Sequence, residues 1–169
     1  YREGDMKEIT IESVKETYHK LIENINLNNI QSKVHTKNIA LGEVESEVNI
    51  SRSRGALNRI ADSKQSDIEL VHQKTLDDIT IEKSPAIIKI DVEGYEMNVL
   101  KGFDLEKYYP DVIVLEYLDL MMKKTEFHNQ DIERLIDSKL YKYMKSYNYH
   151  FVNWLHSDLV FVSDNIRDI

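Results

Sequence analysis

The stretch Ala86-Ile-Ile-Lys-Ile-Asp-Val92, continued by Glu93-Gly94 and by Tyr95-Glu-Met-Asn-Val-Leu-Lys101 before Gly102, decides the reading of this chain. Its first part is an almost continuous β-branched apolar run, the pattern of a strand buried on both faces in a parallel sheet. Glu93-Gly94 breaks the run, and residues 95–101 read as a helix that Gly102 stops. A second run of the same kind, Val112-Ile-Val-Leu115, follows Pro110 and ends at Glu116. Strand, turn, helix and strand in this order predict an α/β open sheet.

Upstream, Ile9-Thr10-Ile11 predicts a short strand ending in Glu12. Ser13 stands where a helix N-cap would, with Glu16 three residues on completing a capping box. Val14, Tyr18, Leu21, Ile22 and Ile25 form one apolar stripe at helical spacing, which predicts a helix from Lys15 to about Asn26. Val34 to Leu41 predicts a strand closed by Gly42, and the alternation in Val44 to Ile50 predicts a half-exposed antiparallel strand. Ser51 to Gln65, polar and carrying Arg52, Arg54 and Gly55, reads as an irregular loop; Ile68 to Lys74 reads as a strand and Thr75-Leu-Asp-Asp78 as a capped turn of helix. Downstream, Ile132, Leu135, Ile136 and Leu140 stripe another helix, while Tyr149–Leu155 and Leu159–Val162 close the chain as a strand pair. No Pro/Gly-rich linker and no internal repeat divides the sequence, so residues 1–169 read as a single domain.

Composition narrows the function. The chain has 169 residues, 41% of them hydrophobic, and a net charge of −8. That balance argues against nucleic-acid binding, because no excess of cations exists to displace counterions from a phosphate backbone. The absence of cysteine excludes a disulfide scaffold, a thiolate zinc site and a cysteine nucleophile. No apolar run approaches the ~20 residues that span a bilayer, and the N-terminus has no signal-peptide hydrophobic region; the expectation is a soluble, cytoplasmic protein that engages no membrane. The five glycines are all more than three residues apart, which excludes both a G-x-G-x-x-G fingerprint and a P-loop within the chain.

In an open parallel sheet, ligands bind beyond the carboxyl ends of the strands. Three carboxylates occupy such ends: Glu12, Asp91 and Glu116. Glu12 could accept both hydroxyls of a ribose, or simply favour the positive end of the following helix. Asp91, Glu93 and Glu96 crowd one turn, with Gly94 free to bend sharply. Clustered carboxylates can raise one another's pKa and furnish a general base, can hold Mg²⁺ or Ca²⁺, or can form an acidic first turn that caps a helix. Lys89 interrupts the apolar strand, either to reach the site or to carry its ammonium past the core into water. The six histidines show no metal-ligand spacing, and the tyrosines Tyr141, Tyr143, Tyr147 and Tyr149, near Trp154, fit packing of the last helix and strands.

Ile88-Lys-Ile-Asp-Val-Glu-Gly-Tyr-Glu-Met-Asn-Val-Leu-Lys-Gly102 resembles the signature of FkbM-type methyltransferases. Thr75-Leu-Asp-Asp-Ile79 resembles the lead-in to that signature, Pro110-Asp-Val-Ile-Val-Leu-Glu116 the strand after it, and Ser157-Asp-Leu-Val-Phe-Val162 the terminal strand. Ile9-Thr-Ile-Glu-Ser13, with Tyr18, Leu21, Asn24 and Asn28, is similar to the family's second strand and helix, so the resemblance covers nearly the whole chain.

The resemblance implies a Rossmann-like class I methyltransferase open sheet, mostly parallel with an antiparallel C-terminal strand. It implies S-adenosylmethionine as cofactor and methylation of a hydroxyl on a sugar, glycan or small natural product. By the same resemblance Glu12 and Ser13 bind the cofactor, Glu12 at the ribose; the segment from Asn38 to Leu41, with Ala40, borders the adenine. Asp91 lies where the methionine part meets the acceptor, and Asp91 or Glu93 serves as catalytic base. A divalent metal held by Asp91 and Glu116 is a further expectation, motivated by their matching strand-end positions.

The sequence also departs from the family pattern. Ser13 stands where the family usually has proline, and the family's first strand and glycine-rich turn have no counterpart here. The chain is therefore expected to be an N-terminally truncated relative or a fragment, binding cofactor poorly, with strand edges open to pairing directly or across a homodimer. The alternative reading is a degenerate Rossmann-like module that serves as a binding or assembly domain without catalysis; a nicotinamide-dependent oxidoreductase shares only the strand-end acid.

Overall fold

In the computed structural model, which describes residues 8–52, 67–79, 84–117 and 131–167, strand Glu8–Ile11 (β1), helix Lys15–Leu27 (α1) and strand Val34–Lys37 (β2) form a parallel β-α-β unit in register from Glu8↔Val34 to Ile11↔Lys37. A parallel pair needs a crossover, and the helix supplies it. Tyr18 ties helix to strand, its hydroxyl lying 3.0 Å from Thr36 Oγ1.

Ser13 does not cap the helix. The Glu12 N–H bonds to the Lys37 carbonyl at 3.1 Å, so strand pairing runs to the expected end at Glu12, and the N-cap falls one residue later than expected, on Val14. Val14 has no acceptor to offer, and Glu12 Oε1 instead accepts its N–H at 2.8 Å. The predicted capping box is likewise absent, since Glu16 pairs with Lys20 at 2.6 Å along the exposed face of the helix.

The stretch expected to be one strand from Val34 to Leu41 is two. Asn38 leaves the ladder and donates its side-chain amide to the carbonyls of Glu12 and Ser13 at 2.8 and 3.0 Å. The chain then enters a second sheet built from Ala40–Leu41 (β3), Ser46–Ser51 (β4) and Ile68–Lys74 (β5), in the order β3-β5-β4. β3 runs parallel to β5, and β4 antiparallel to it, as the alternation in its sequence predicts. Val14, Ala40, Ile50 and Val71 form its core. At its end Gln73, 2% exposed, donates to the Val44 carbonyl and to Ser46 Oγ, and its side chain covers Gly42 so closely that a Cβ there would sit 2.4 Å from it. The loop expected over Ser51 to Gln65 lies outside the described residues from position 53 onward; Arg52, at its start, pairs with Asp67 at 2.7 Å.

Residues 1–75 make one compact unit and residues 76–169 another. In the second, strands Ile87–Ile90 (β6), Val112–Glu116 (β7), Tyr149–Leu155 (β8) and Asp158–Ser163 (β9) form one sheet in the order β6-β7-β9-β8. β6 and β7 are parallel; β9 is antiparallel to both β7 and β8. The mixed α/β architecture with open sheets and an antiparallel C-terminal pair is thus present. β6, however, is not buried on both faces. Among the described residues it has a strand on one side alone, and its faces differ: Ile90 is buried while Ile87, on the opposite face, keeps 66% of its surface exposed.

Helices Glu96–Lys101 (α2) and Leu105–Tyr108 (α3) join β6 to β7, and Gly102 ends the first of them. The stripe from Ile132 to Leu140 is broken into Ile132–Asp137 (α4) and Lys139–Ser146 (α5), because Ser138 turns extended and caps the second helix through its Oγ. A last turn, Asp164–Arg167 (α6), follows β9. Leu135, Leu140 and Met144 bury their side chains, as do Ile113, Leu115, Leu159 and Phe161 of the sheet, while Tyr141 packs against Phe151 and Phe161. No described helix is long and apolar enough to cross a membrane.

Tyr149 is fully buried, its hydroxyl donates to the Pro110 carbonyl at 2.7 Å, and burial drives its pKa upward. Tyr149→Phe strands that carbonyl and is expected to lower unfolding free energy by about 1–3 kcal/mol in a urea titration.

Candidate active site

β6 and β7 run in parallel with Ile90 opposite Leu115, so both deliver their next residue to the same edge of the sheet. Those residues are Asp91 and Glu116. After Asp91 the backbone turns sharply, with Glu93 at φ 54° and Gly94 at φ 95°, which returns the Glu93 side chain towards the strand ends. Glycine adopts that conformation freely; glutamate does not. One carboxylate oxygen from each of Asp91, Glu93 and Glu116 lies within 4.8 Å of the others.

Two more charges border this group. Asp158 on β9 is the register partner of Glu116. Lys89, half exposed, holds its ammonium 3.0 Å from Asp158 and 3.2 Å from Asp91. Its pKa is raised, first by the hydrogen bond to Asp158 and, against partial burial, by the bond to Asp91. Of the two readings open for Lys89, the ammonium in water and at the site are both satisfied: the stem leaves the core and the head sits among the acids.

Glu116 has the most altered chemistry. Its pKa is pushed up to about 7, first by burial, then by the charges of Asp91 and Glu93, by a hydrogen bond with Asp91 and by the charge of Glu96. Its Oε2 is buried with no hydrogen-bond partner among the described residues. Carboxylates this close share a proton or a hard divalent cation, the two options that relieve mutual repulsion. The sequence reading favours Asp91 or Glu93 as base; the structure brings both together and adds Glu116 as the group that exchanges a proton near neutral pH. The signal for it was there, in two parallel-type strands ending on carboxylates.

The remaining expected residues belong to the first unit. Glu12 follows β1, half buried, with its backbone held by β2 and one oxygen on Val14 N–H. Ser13 follows, its carbonyl bonded to Asn38. Ala40 contributes its side chain to the core with Val14. A cavity of about 320 Å³, lined by Ser84, Tyr108, Asp111 and Asn165 among others, opens at the amino ends of β6 and β7, away from the carboxylates.

Comparison with known proteins adds the family. The model of the methyltransferase FkbM domain matches residues 1–151. The chain belongs to the FkbM methyltransferase family. Its fold is similar to the crystal structure of the FkbM methyltransferase from Methylobacillus flagellatus KT, with a TM-score of 0.59 and 19% sequence identity over 93% of this chain. The FkbM-type chain described here spans 36% of that protein's length. No curated protein matches the sequence.

A carboxyl whose folded pKa stands near 7, against an ordinary 4.5, stabilises the fold while protonated. That contribution is complete below about pH 4.5 and is lost as pH rises through about 7. Glu116→Gln removes the dependence. The variant's melting temperature is expected to match wild type below pH 4.5 and to exceed it by a few degrees above pH 7, a modest gain because the group is partly solvent-screened. Calorimetric scans across that range check it.

Proposed function

We propose that this chain is the part of an S-adenosylmethionine-dependent O-methyltransferase that carries the acceptor-activating carboxylates, acting on a hydroxyl of a sugar, glycan or small natural product. The observation that supports the reading best is the trio Asp91, Glu93 and Glu116 at the carboxyl ends of two parallel strands, with Glu116 poised near pH 7. When bound, the cofactor supplies an electrophilic methyl group. The donor set of the chain suits such a ligand: Glu12 is a strand-end carboxylate able to accept two vicinal hydroxyls, with Ser13 beside it and the backbone at Ala40 one short segment away.

A hydroxyl becomes a good nucleophile as its proton departs, and a positioned carboxylate lowers that barrier. In this reading Glu116 receives the acceptor proton, and Asp91, hydrogen-bonded to it, shares the load. Glu93 adds the negative potential that keeps Glu116 basic. Lys89 limits that potential by neutralising Asp91 and Asp158. A divalent cation in the same trio would orient the acceptor oxygen instead.

Calorimetric titration with S-adenosylhomocysteine tests the cofactor half of the proposal. Binding with a micromolar Kd, about −8 kcal/mol, lost in Glu12→Ala, is the expected result; a folded chain that binds nothing belongs to the alternative reading, a binding or assembly module. For the acceptor half, turnover is expected to rise about tenfold per pH unit below pH 7 and to level above it, as the ionised fraction of Glu116 does. Glu116→Gln should cost about 10²–10⁴ in kcat. Rates unchanged by exhaustive chelation assign the trio to the proton; rates lost on chelation and restored by Mg²⁺ assign it to the cation.

A further inference from the structure

Glu96 is a charged residue with only 5% of its surface exposed. It opens α2, where an acidic side chain is ordinarily explained by the helix dipole. Its contacts are different. Glu96 Oε1 accepts the N–H of Gly94 at 3.0 Å and that of Val92 at 3.2 Å. Both amides lie before the helix, in the turn that follows β6, so the carboxylate organises the turn and leaves the helix amides to themselves.

That turn needs organising. Glu93 occupies the left-handed region at φ 54°, a conformation unfavourable for a residue with a side chain and kept when neighbouring contacts over-determine it. The one backbone bond that closes the turn, Tyr95 N–H to the Val92 carbonyl, is long at 3.3 Å. The Glu96 clamp brackets the strained residue, holding the amides on either side of Glu93 from within the protein. Charged acceptors make the stronger hydrogen bonds, and a buried one cannot trade them for water.

We propose that Glu96 is a positioning residue: by gripping the Val92 and Gly94 amides it fixes the turn that sets Asp91 and Glu93 beside Glu116. The functional side of this inference rests on the methyltransferase reading; the structural side does not. Asp91 and Glu93 take their places beside Glu116 through this turn, so the carboxyl-carbon NMR shifts of the trio report on the clamp along with local backbone dynamics.

The test is amide hydrogen exchange at Val92 and Gly94, followed by NMR on the whole chain, together with the carboxyl-carbon shifts of Asp91, Glu93 and Glu116. Gly94 is an exposed residue, so slow exchange of its amide in the wild-type chain is expected from the clamp, and rapid exchange there overturns the proposal with no variant required. Glu96→Leu keeps the volume and removes the acceptor; it should speed exchange at both amides by about tenfold or more and displace the carboxyl shifts of Asp91 and Glu93 from their wild-type values. Glu96→Gln retains a carbonyl oxygen at the same position and should rescue both readouts. If Glu96→Leu lowers only the melting temperature, with local exchange and the carboxyl shifts unchanged, the residue is structural and the proposal fails. If Glu96→Gln behaves like Glu96→Leu, the geometry of the acceptor is not what matters, and it fails again. A wild-type chain that does not bind S-adenosylhomocysteine sinks the cofactor reading, while the exchange measurements still decide the role of Glu96.

Discussion

Parallel pairing of β6 with β7, in register from Ile87↔Val112 to Ile90↔Leu115, is the constraint on which the acidic site depends. Two parallel strands finish at the same edge, so the residues after Ile90 and Leu115 meet there by geometry alone. An antiparallel partner would carry Glu116 to the far end of the sheet. The antiparallel strand that does exist, β9, enters from the other side of β7 and sets Asp158 opposite Glu116. Sheet topology thus gathers acids from three strands and one turn, and the electrostatic cost of that gathering falls on whichever member is least able to hold its charge in water.

Strand alternation decides which one. Ile113 and Leu115 face the core and are fully buried, while Val112, Val114 and Glu116 occupy the opposite, half-covered face. Glu116 is therefore desolvated enough to hold a proton near neutrality and open enough to exchange it. Asp91, more exposed and held by Lys89, keeps company with a cation instead. Two carboxylates a few ångströms apart thus meet different surroundings, one half covered by the sheet and one against an ammonium.

Much of this was legible in the sequence, and the failures share a cause. β-branched runs announce strands, and the acids after them announce strand ends, so Asp91 and Glu116 could be found by counting. Whether Ile87 is covered depends on what packs over its face of the sheet, which no local pattern records. Whether Ser13 or Val14 begins the helix depends on one more rung of pairing with Lys37. The break at Asn38 depends on carbonyls of Glu12 and Ser13, remote in the chain. Ser138 is a readable cap, masked in the sequence by the apolar stripe that runs through it. The positive φ of Glu93 and the backward reach of Glu96 are invisible in sequence, since both express the same turn that they stabilise.

The close cover of Gly42 by Gln73 carries a consequence for how this chain can diverge. Any side chain at position 42 would occupy the space now filled by the Gln73 amide. Gln73 cannot simply swing out, because its Nε2 is committed to Val44 and Ser46 in a buried setting. The two positions therefore form one heritable unit: a larger residue at 42 becomes tolerable only after 73 shrinks, and a smaller residue at 73 opens a void until 42 grows. Neighbours that share a volume in this way are non-additive, so the order in which the two substitutions arise decides whether the path between them stays folded.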